Sequence, residues 1–438
     1  MFRALVLALA LSTAALAQQQ PPQPLTLDEA LRLGLQRNSD LQRQILLSLS
    51  AEQDRIIARS AILPHLDFNA SVARNRQGAG TVVVQGVPFK QPTSKYTTTN
   101  AGLSLSQVIF DGGKWWNNIS AANLGFAASE AQVDEQRLQI TYLIEQRFYE
   151  LVRAQRQLQV FAEAATRSRD QANSTQRLFE GGRATQADVY AARANRDNDE
   201  VTRLGQERNV ELARADLSAA IGLDPGAPLT VSEPQNMLAE PTQPPALQQA
   251  VEHALTTRPS LKAFALTAES NRKTASATKG DYWPALSAEA FWRRGTRDDF
   301  ARVFDEAPGR DSQSGVGLNL TWNIFSGLST QANVRKAEIQ VALAENDLAN
   351  GRRSVAADVE KAVAQLGTAR AQVRVAQQAE QTAKEGLRLA RTRQEVGVGN
   401  QLEVRDAELK LTQAQLNVVG SLVDGREAEA ALRRAQGG

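Results

Sequence analysis

A mainly helical fold with a small β part, laid down twice along the chain, is what this 438-residue sequence predicts. Three observations carry the prediction: a correspondence between the two halves, two long proline-free windows, and two pairs of stretches that alternate apolar and polar residues. Residues 27–70 parallel 247–290 at an offset of 220, and residues 103–222 parallel 318–437 at an offset of 215. Leu27, Ala30, Leu41, Pro64 and Leu66 return as Leu247, Ala250, Leu261, Pro284 and Leu286, while Leu103, Ile109, Phe110, Gly182 and Val189 return as Leu318, Ile324, Phe325, Gly397 and Val404. The offset changes only between residues 70 and 103, and a length change confined to one polar stretch marks a surface loop. The expected organisation is a first repeat over 18–222 (helix, strand pair, long helix, helix), a proline-rich linker over 223–245, and a second repeat over 246–438.

The elements follow in order. Residues 1–17 read as a cleaved secretory signal: Arg3, an apolar run from Ala4 to Ala15, and a small-x-small site at Ala15-Leu16-Ala17. Thr26-Leu27-Asp28-Glu29 opens a helix expected to reach about Ile62, where Pro64 stops it. No proline falls between Pro92 and Pro225 or after Pro308. The first of these windows, from about Trp115 to Glu180, is rich in Ala, Gln, Glu, Arg and Leu, and its apolar residues recur every three or four positions. It predicts one coiled-coil-like helix of roughly 100 Å. Gly181-Gly182 ends it, and a further helix runs from about Thr185 to Ile221. The second half predicts helices near 246–281, 329–395 and 400–435.

Strands are predicted where the period falls to two. Leu66, Phe68, Ala70 and Val72 alternate with Asp67, Asn69 and Ser71, and Ala101, Leu103, Leu105 and Ile109 share one face of the next stretch. Leu286, Ala288, Ala290 and Trp292 make a third set, and Val316, Leu318, Leu320 and Trp322 a fourth. The connections at about 75–98 and 294–313 read as polar loops. Trp115, Trp116, Trp283 and Trp322 flank the junctions with the helices, as aromatic residues do at a bilayer interface. No segment has 18 consecutive apolar residues, so a membrane role requires β-strands rather than a spanning helix. Four strands cannot close a membrane barrel, so copies of the chain must pool them.

Composition removes other classes. The net charge is +2 with mixed signs, which gives no electrostatic case for nucleic acid. The absence of cysteine excludes disulfides and thiolate chemistry, and the two histidines, His65 and His253, stand in unrelated contexts. Phosphate-loop, zinc-protease, serine-hydrolase and dinucleotide motifs are missing. The expectation is a protein that is not an enzyme and that takes no cofactor or metal.

The duplicated helix–hairpin–helix plan, the signal and the glycine turns together resemble the TolC-type outer membrane efflux proteins over essentially the whole mature chain. The most specific stretch is RTRQEVGVGNQLEVRDAE at 391–408, where Arg393, Gly397, Leu402, Glu403, Val404, Asp406 and Ala407 match the family pattern; Phe179, Gly182, Thr185, Asp188 and Val189 echo it in the first half. Gln394 stands where the family usually has tyrosine, and Ala191 lacks the carboxylate that Asp406 supplies. The resemblance implies a homotrimer with an α-helical tunnel crossing the periplasm and a shared 12-stranded barrel in outer-membrane lipid. It also implies partners, namely a periplasmic adaptor (a membrane fusion protein) and an inner-membrane pump. The tip turns, with Gly181, Gly182, Val396, Gly397 and Gly399, would meet the adaptor. Glu403 and Asp406, one turn beyond, share a helix face and would recur as carboxylate rings at a periplasmic gate, with Asp188 contributing from the first half. The expected function is the passive exit duct of an efflux or type I secretion system. The alternative is a periplasmic coiled-coil scaffold or adaptor with no pore.

Overall fold

The computed structural model describes residues 24–84, 86–226, 229–299 and 310–438, so the expected signal peptide at 1–17 lies outside the described residues. The chain runs α1 (Leu27–Arg37), α2 (Ser39–Ser60), β1 (His65–Gln77), β2 (Gly80–Val84), β3 (Val87–Gln91), β4 (Ser94–Phe110), α3 (Lys114–Glu180) and α4 (Gln186–Ala220). It continues with α5 (Leu247–Thr257), α6 (Pro259–Lys279), a single 3₁₀ turn (Gly280–Tyr282), β5 (Ala285–Asp299), β6 (Arg310–Thr321), α7 (Ser329–Glu395) and α8 (Gln401–Gln436). The two long helices are both 67 residues, about 100 Å each at the α-helical rise.

Two compact units are formed, and each takes segments from both halves of the chain. One, the tip unit, comprises the described residues of Met1–Gln42 together with Gln136–Ala254 and Ala357–Gly438; the other, the sheet unit, comprises Arg43–Glu135 and Leu255–Ala356. Their cores differ in kind. The largest fully buried side chains, among them Phe148, Ile144, Leu151, Leu217, Leu366 and Val404, all belong to the tip unit. In the sheet unit the buried positions are mostly alanines (Ala121, Ala128, Ala131, Ala263, Ala268, Ala275), which allow helix axes to approach at the short end of about 8–10 Å.

Two expectations on the elements are corrected. The helix expected from Thr26 to about Ile62 is broken at Asn38. That residue takes an extended backbone, with φ −61° and ψ 126°, and its N–H donates to Gly34 O to finish α1. Its side-chain oxygen accepts from the Asp40 and Leu41 N–H groups at 3.0 and 3.2 Å to start α2. Its amide N–H donates to Ala220 O at 3.0 Å, which ties the break to the end of α4. The helix expected at 246–281 also breaks, at Arg258, whose backbone is extended with no side-chain cap and which precedes Pro259 at the first helical position. The second correction concerns the polar connections. Much of 75–98 is strand: β1 extends to Gln77, β4 begins at Ser94, and the hairpin β2–β3 stands between them. Likewise β5 reaches Asp299 and β6 begins at Arg310, so the described residues of 294–313 are strand.

The main sheet has the order β1-β4-β5-β6, all antiparallel. Its register sets Leu66 opposite Leu105, Leu105 opposite Ala290, and Ala290 opposite Val316; the next row is Phe68, Leu103 and Trp292. Opposite residues share a face, so the four alternating sequences combine into one apolar face. The other face carries Asp67, Asn69, Ser104, Ser106 and Glu289, with Phe291 as the aromatic exception.

At the end of β4 the chain turns sharply into α3 through Gly112 and Gly113, with φ of +72° and +81°. A Cβ on Gly112 would lie 2.5 Å from Gly280 O, so both the backbone conformation and the close approach demand glycine. Asp111 then caps α3 by accepting from the Trp115 N–H at 2.9 Å.

Candidate functional site

Both hairpin turns of the tip unit are built alike. After Glu180 the chain passes through Gly181 and Gly182, the latter at φ +77°, and the Arg183 N–H donates to Leu178 O at 2.7 Å. After Glu395, Gly397 takes φ +80° and the Val398 N–H donates to Arg393 O at 3.0 Å. These are glycine C-caps of the Schellman type. Each is followed within a few residues by an N-cap, so the direction reverses without stranded amides. Thr185 accepts from the Asp188 N–H at 3.2 Å while Asp188 accepts from the Thr185 hydroxyl at 2.7 Å. Asn400 accepts from the Glu403 N–H at 2.8 Å. The turn leaves Val396, Val398 and Leu402 exposed, an apolar tip bordered by glycine.

The three carboxylates expected at a gate are therefore in different situations. Asp188 is engaged in its own capping box, and the Thr185 hydroxyl and then the Thr185 amide hold its carboxyl below the ordinary value. Glu403 and Asp406 come together on one groove of about 1220 Å³ along α7 and α8, with Val375, Leu389, Arg393 and Lys410 also lining it. Asp188 does not line this groove. Glu403 is met by Arg393 at 3.0 Å and Asp406 by Lys410 at 2.6 Å, all four partly exposed. Two cations thus accompany two carboxylates. The sequence marked Arg393 only as a motif match and did not mark Lys410: the Asp406–Lys410 spacing of four was legible, whereas Arg393 reaches Glu403 only because the turn is tight.

Further from the turn, contacts join the α3–α4 hairpin to the α7–α8 hairpin. Arg405 on α8 makes a two-pronged ion pair with Asp199 on α4, at 2.7 and 2.9 Å. The Gln401 amide donates to Thr175 Oγ1 at 2.8 Å, and Arg167 donates to Thr412 Oγ1 at 2.9 Å. Arg391 pairs with the buried Glu408 at 2.9 Å. The Asp199 carboxylate raises the Arg405 pKa, while burial lowers that of Arg167 against the attraction of Glu408 and Glu163. Beneath them Leu387, Ala390, Val404 and Leu411 form an apolar cluster.

In the sheet unit, Trp115 and Trp116 begin α3 and meet edge to face at 5.6 Å, Trp283 precedes β5, and Trp322 follows β6. Trp116, Trp283 and Trp322 are exposed, and the Trp322 indole N–H donates to Tyr282 O at 3.2 Å. The apolar sheet face next to them is also bare: Val72, Val316, Leu318 and Leu320 are all more than 60% exposed. Both edges of the sheet, β1 and β6, lack a strand partner among the described residues. No described helix is long and apolar enough to cross a membrane, and no group of three or more His, Asp or Glu that could hold a metal occurs among the described residues.

Comparisons with known proteins agree with this geometry. TolC of Vibrio cholerae is 24% identical over 399 residues, covering 90% of this chain and 87% of that protein. The outer membrane efflux protein BepC of Brucella suis is 24% identical over 394 residues, covering 88% of this chain and 79% of its own. Among solved structures, the Vibrio cholerae outer membrane protein VceC superposes with a TM-score of 0.76 at 20% identity, covering 94% of this chain and 96% of its own. The Campylobacter jejuni CmeC outer membrane channel gives 0.78 at 19% identity, covering 94% and 85%. The family described as outer membrane efflux protein matches residues 30–223 and again 250–438, and to that family this chain belongs.

Proposed function

We propose that three copies of this chain assemble into a passive duct of a tripartite efflux or type I secretion system, with a shared 12-stranded barrel in the outer membrane and a helical tunnel in the periplasm. The observation that carries the reading is the four-stranded sheet. One of its faces is apolar and exposed, and both of its edges are unpaired. In lipid each unpaired backbone group costs several kcal/mol, and four strands are half of the smallest known membrane barrel. Pairing β1 of one copy with β6 of the next removes both edges at once. Apolar residues left bare on α2 (Leu46, Leu49, Ile56, Ile57) support the same assembly. The two family matches support an origin by internal duplication, with repeats over 18–222 and 246–438.

In this reading Trp115, Trp116, Trp283 and Trp322 mark the periplasmic interface of the bilayer. The exposed Val396 between Gly181-Gly182 and Gly397-Gly399 belongs to the surface that meets a periplasmic adaptor. Glu403 and Asp406 line the gate, and Asp188 contributes from the first half, where it also caps the start of α4. Because Arg393 and Lys410 compensate them, cation preference is set by the balance of four side chains per copy. The duct holds no nucleotide motif, so an inner-membrane pump supplies the energy.

Reconstitution into planar bilayers tests the reading. The purified protein should form discrete conducting channels, and Glu403→Gln/Asp406→Gln should shift their selectivity toward anions. Absence of conductance from folded, detergent-extracted protein would overturn it.

A further inference from the structure

The apolar face of the sheet does not end in neutral polar residues. Along β1 the face that carries Leu66, Phe68, Ala70 and Val72 continues with Arg74 and Arg76. The register sets Arg76 directly opposite Lys95 on β4, and Arg74 opposite Thr97. Cβ atoms of directly opposed residues are about 5 Å apart, and like charges so placed repel. Arg74, Arg76 and Lys95 are all exposed, and none of them has an ion-pair partner among the described residues. The nearest carboxylate position by register is Asp298, opposite Thr97. Arg294, opposite Ala101, adds a fourth cation to the same face.

Their place along the strands is telling. Arg74 is nine residues beyond His65, and Arg294 is eleven beyond Trp283. A tilted strand crosses the hydrocarbon core in about 9–11 residues. These cations therefore stand at the boundary opposite the tryptophans, at the end of the sheet remote from its helix junctions. A cluster of three unpaired cations, two of them forced side by side, calls for an anion with more than one charge. Guanidinium groups suit phosphate oxygens, which they bind in paired fashion.

We propose that Arg74, Arg76 and Lys95 form a binding site for the phosphate groups of an outer-leaflet lipid. The site rests on the barrel reading above. The bound headgroup screens the Arg76–Lys95 repulsion, and the acyl chains lie along Val72, Phe68 and Leu66 beneath it. The neighbouring Arg293 serves as an internal control, because it lies on the opposite face with its guanidinium 4.9 Å from the Phe291 ring centre.

Native mass spectrometry on the full-length protein in micelles tests the site, with diphosphoryl lipid A, monophosphoryl lipid A and phosphatidylethanolamine as probes. The unaltered protein should prefer the diphosphoryl lipid. Each cation near an anionic surface contributes about a fivefold affinity factor, so Arg74→Gln/Arg76→Gln/Lys95→Gln should bind on the order of 100-fold more weakly. The single variants Arg76→Gln and Lys95→Gln should each lose about fivefold. Arg293→Gln should bind as the unaltered protein does. Equal affinity of the triple variant, equal loss in Arg293→Gln, or no preference for the second phosphate would each overturn the site. Conductance in phosphatidylethanolamine bilayers separates the two readings. A conducting channel indifferent to the lipid removes only this site, whereas an unaltered protein that never conducts removes the barrel and the site with it.

Discussion

Replacing Arg405 by glutamine cuts a two-pronged contact between the two hairpins of the tip. The pair it forms with Asp199 has two hydrogen bonds, at 2.7 and 2.9 Å, and its side chains are only 18% and 14% exposed. Breaking a fully buried pair by removing one partner costs about 3–5 kcal/mol, while an exposed pair is worth about 0–1. The partial exposure here puts the loss near 2 kcal/mol, which shifts the balance between joined and parted hairpins about 30-fold. Planar-bilayer recording reads that shift as a larger share of time at high conductance. Asp199→Asn should behave alike, and the double variant should add little to either single change, because all three remove the same interaction. Normal folding with unchanged conductance in both single variants would refute the idea that this pair holds the two hairpins together at the tip.

Three other groups of side chains carry predictions of their own. In the sheet unit Glu135 accepts from Arg258 Nε and Nη2 at 2.9 and 2.7 Å and from the Ser260 N–H at 3.2 Å, and the pair is 5% and 11% exposed. Glu135→Ala should therefore destabilise the fold by about 3–5 kcal/mol, measurable as an earlier loss of helical circular dichroism on heating. At the tip, Arg393→Gln/Lys410→Gln should raise cation selectivity, opposite in sign to the carboxylate variants, and a reversal potential that does not move would show that these groups are remote from the pore. Burial raises the carboxyls of Glu145 and Glu427 above the ordinary 4.5, against the pull of Arg433 and Arg153. A raised folded-state value means that their contribution is most favourable below pH 4.5 and declines as pH rises through the raised value. Glu145→Gln should flatten that part of the dependence of melting temperature on pH between 4.5 and 7. The capping carboxyls Glu29 and Asp188 run the other way: lowered by Thr26 and Thr185, they stabilise fully above their ordinary values and lose this effect only in stronger acid.

Much of the molecule was legible because its elements are long and locally determined. A window without proline, filled with good helix formers and closed by Gly-Gly, can be little else than one helix, and α3 and α7 end where the glycines stand. The four alternating stretches found their partners because a period of two leaves one register that gathers Leu66, Leu105, Ala290 and Val316 on one face. The breaks at Asn38 and Arg258 were visible only as weak signals. An Asn-Ser pair and an Arg-Pro pair interrupt otherwise helical patterns, and the decisive bond from Asn38 to Ala220 spans 182 residues. The hairpin β2–β3 was hidden because Gly80, Gly86 and Pro88 read as loop residues. At the tip, the chain pattern marked Glu403 and Asp406 but not the charge balance around them. Arg393 and Arg405 act across a turn and between hairpins, and linear spacing does not encode those distances.

Disulfide trapping between copies tests the assembly most directly, since the native chain has no cysteine to confuse the result. Asn69→Cys on β1 combined in turn with Gln313→Cys, Gly315→Cys or Gly317→Cys on β6 places one thiol on each sheet edge. Mild oxidation in the outer membrane should yield covalent dimers and trimers for at least one pairing, with nothing larger. Monomers alone from every pairing, or a ladder that continues past three, would contradict a closed ring of three sheets.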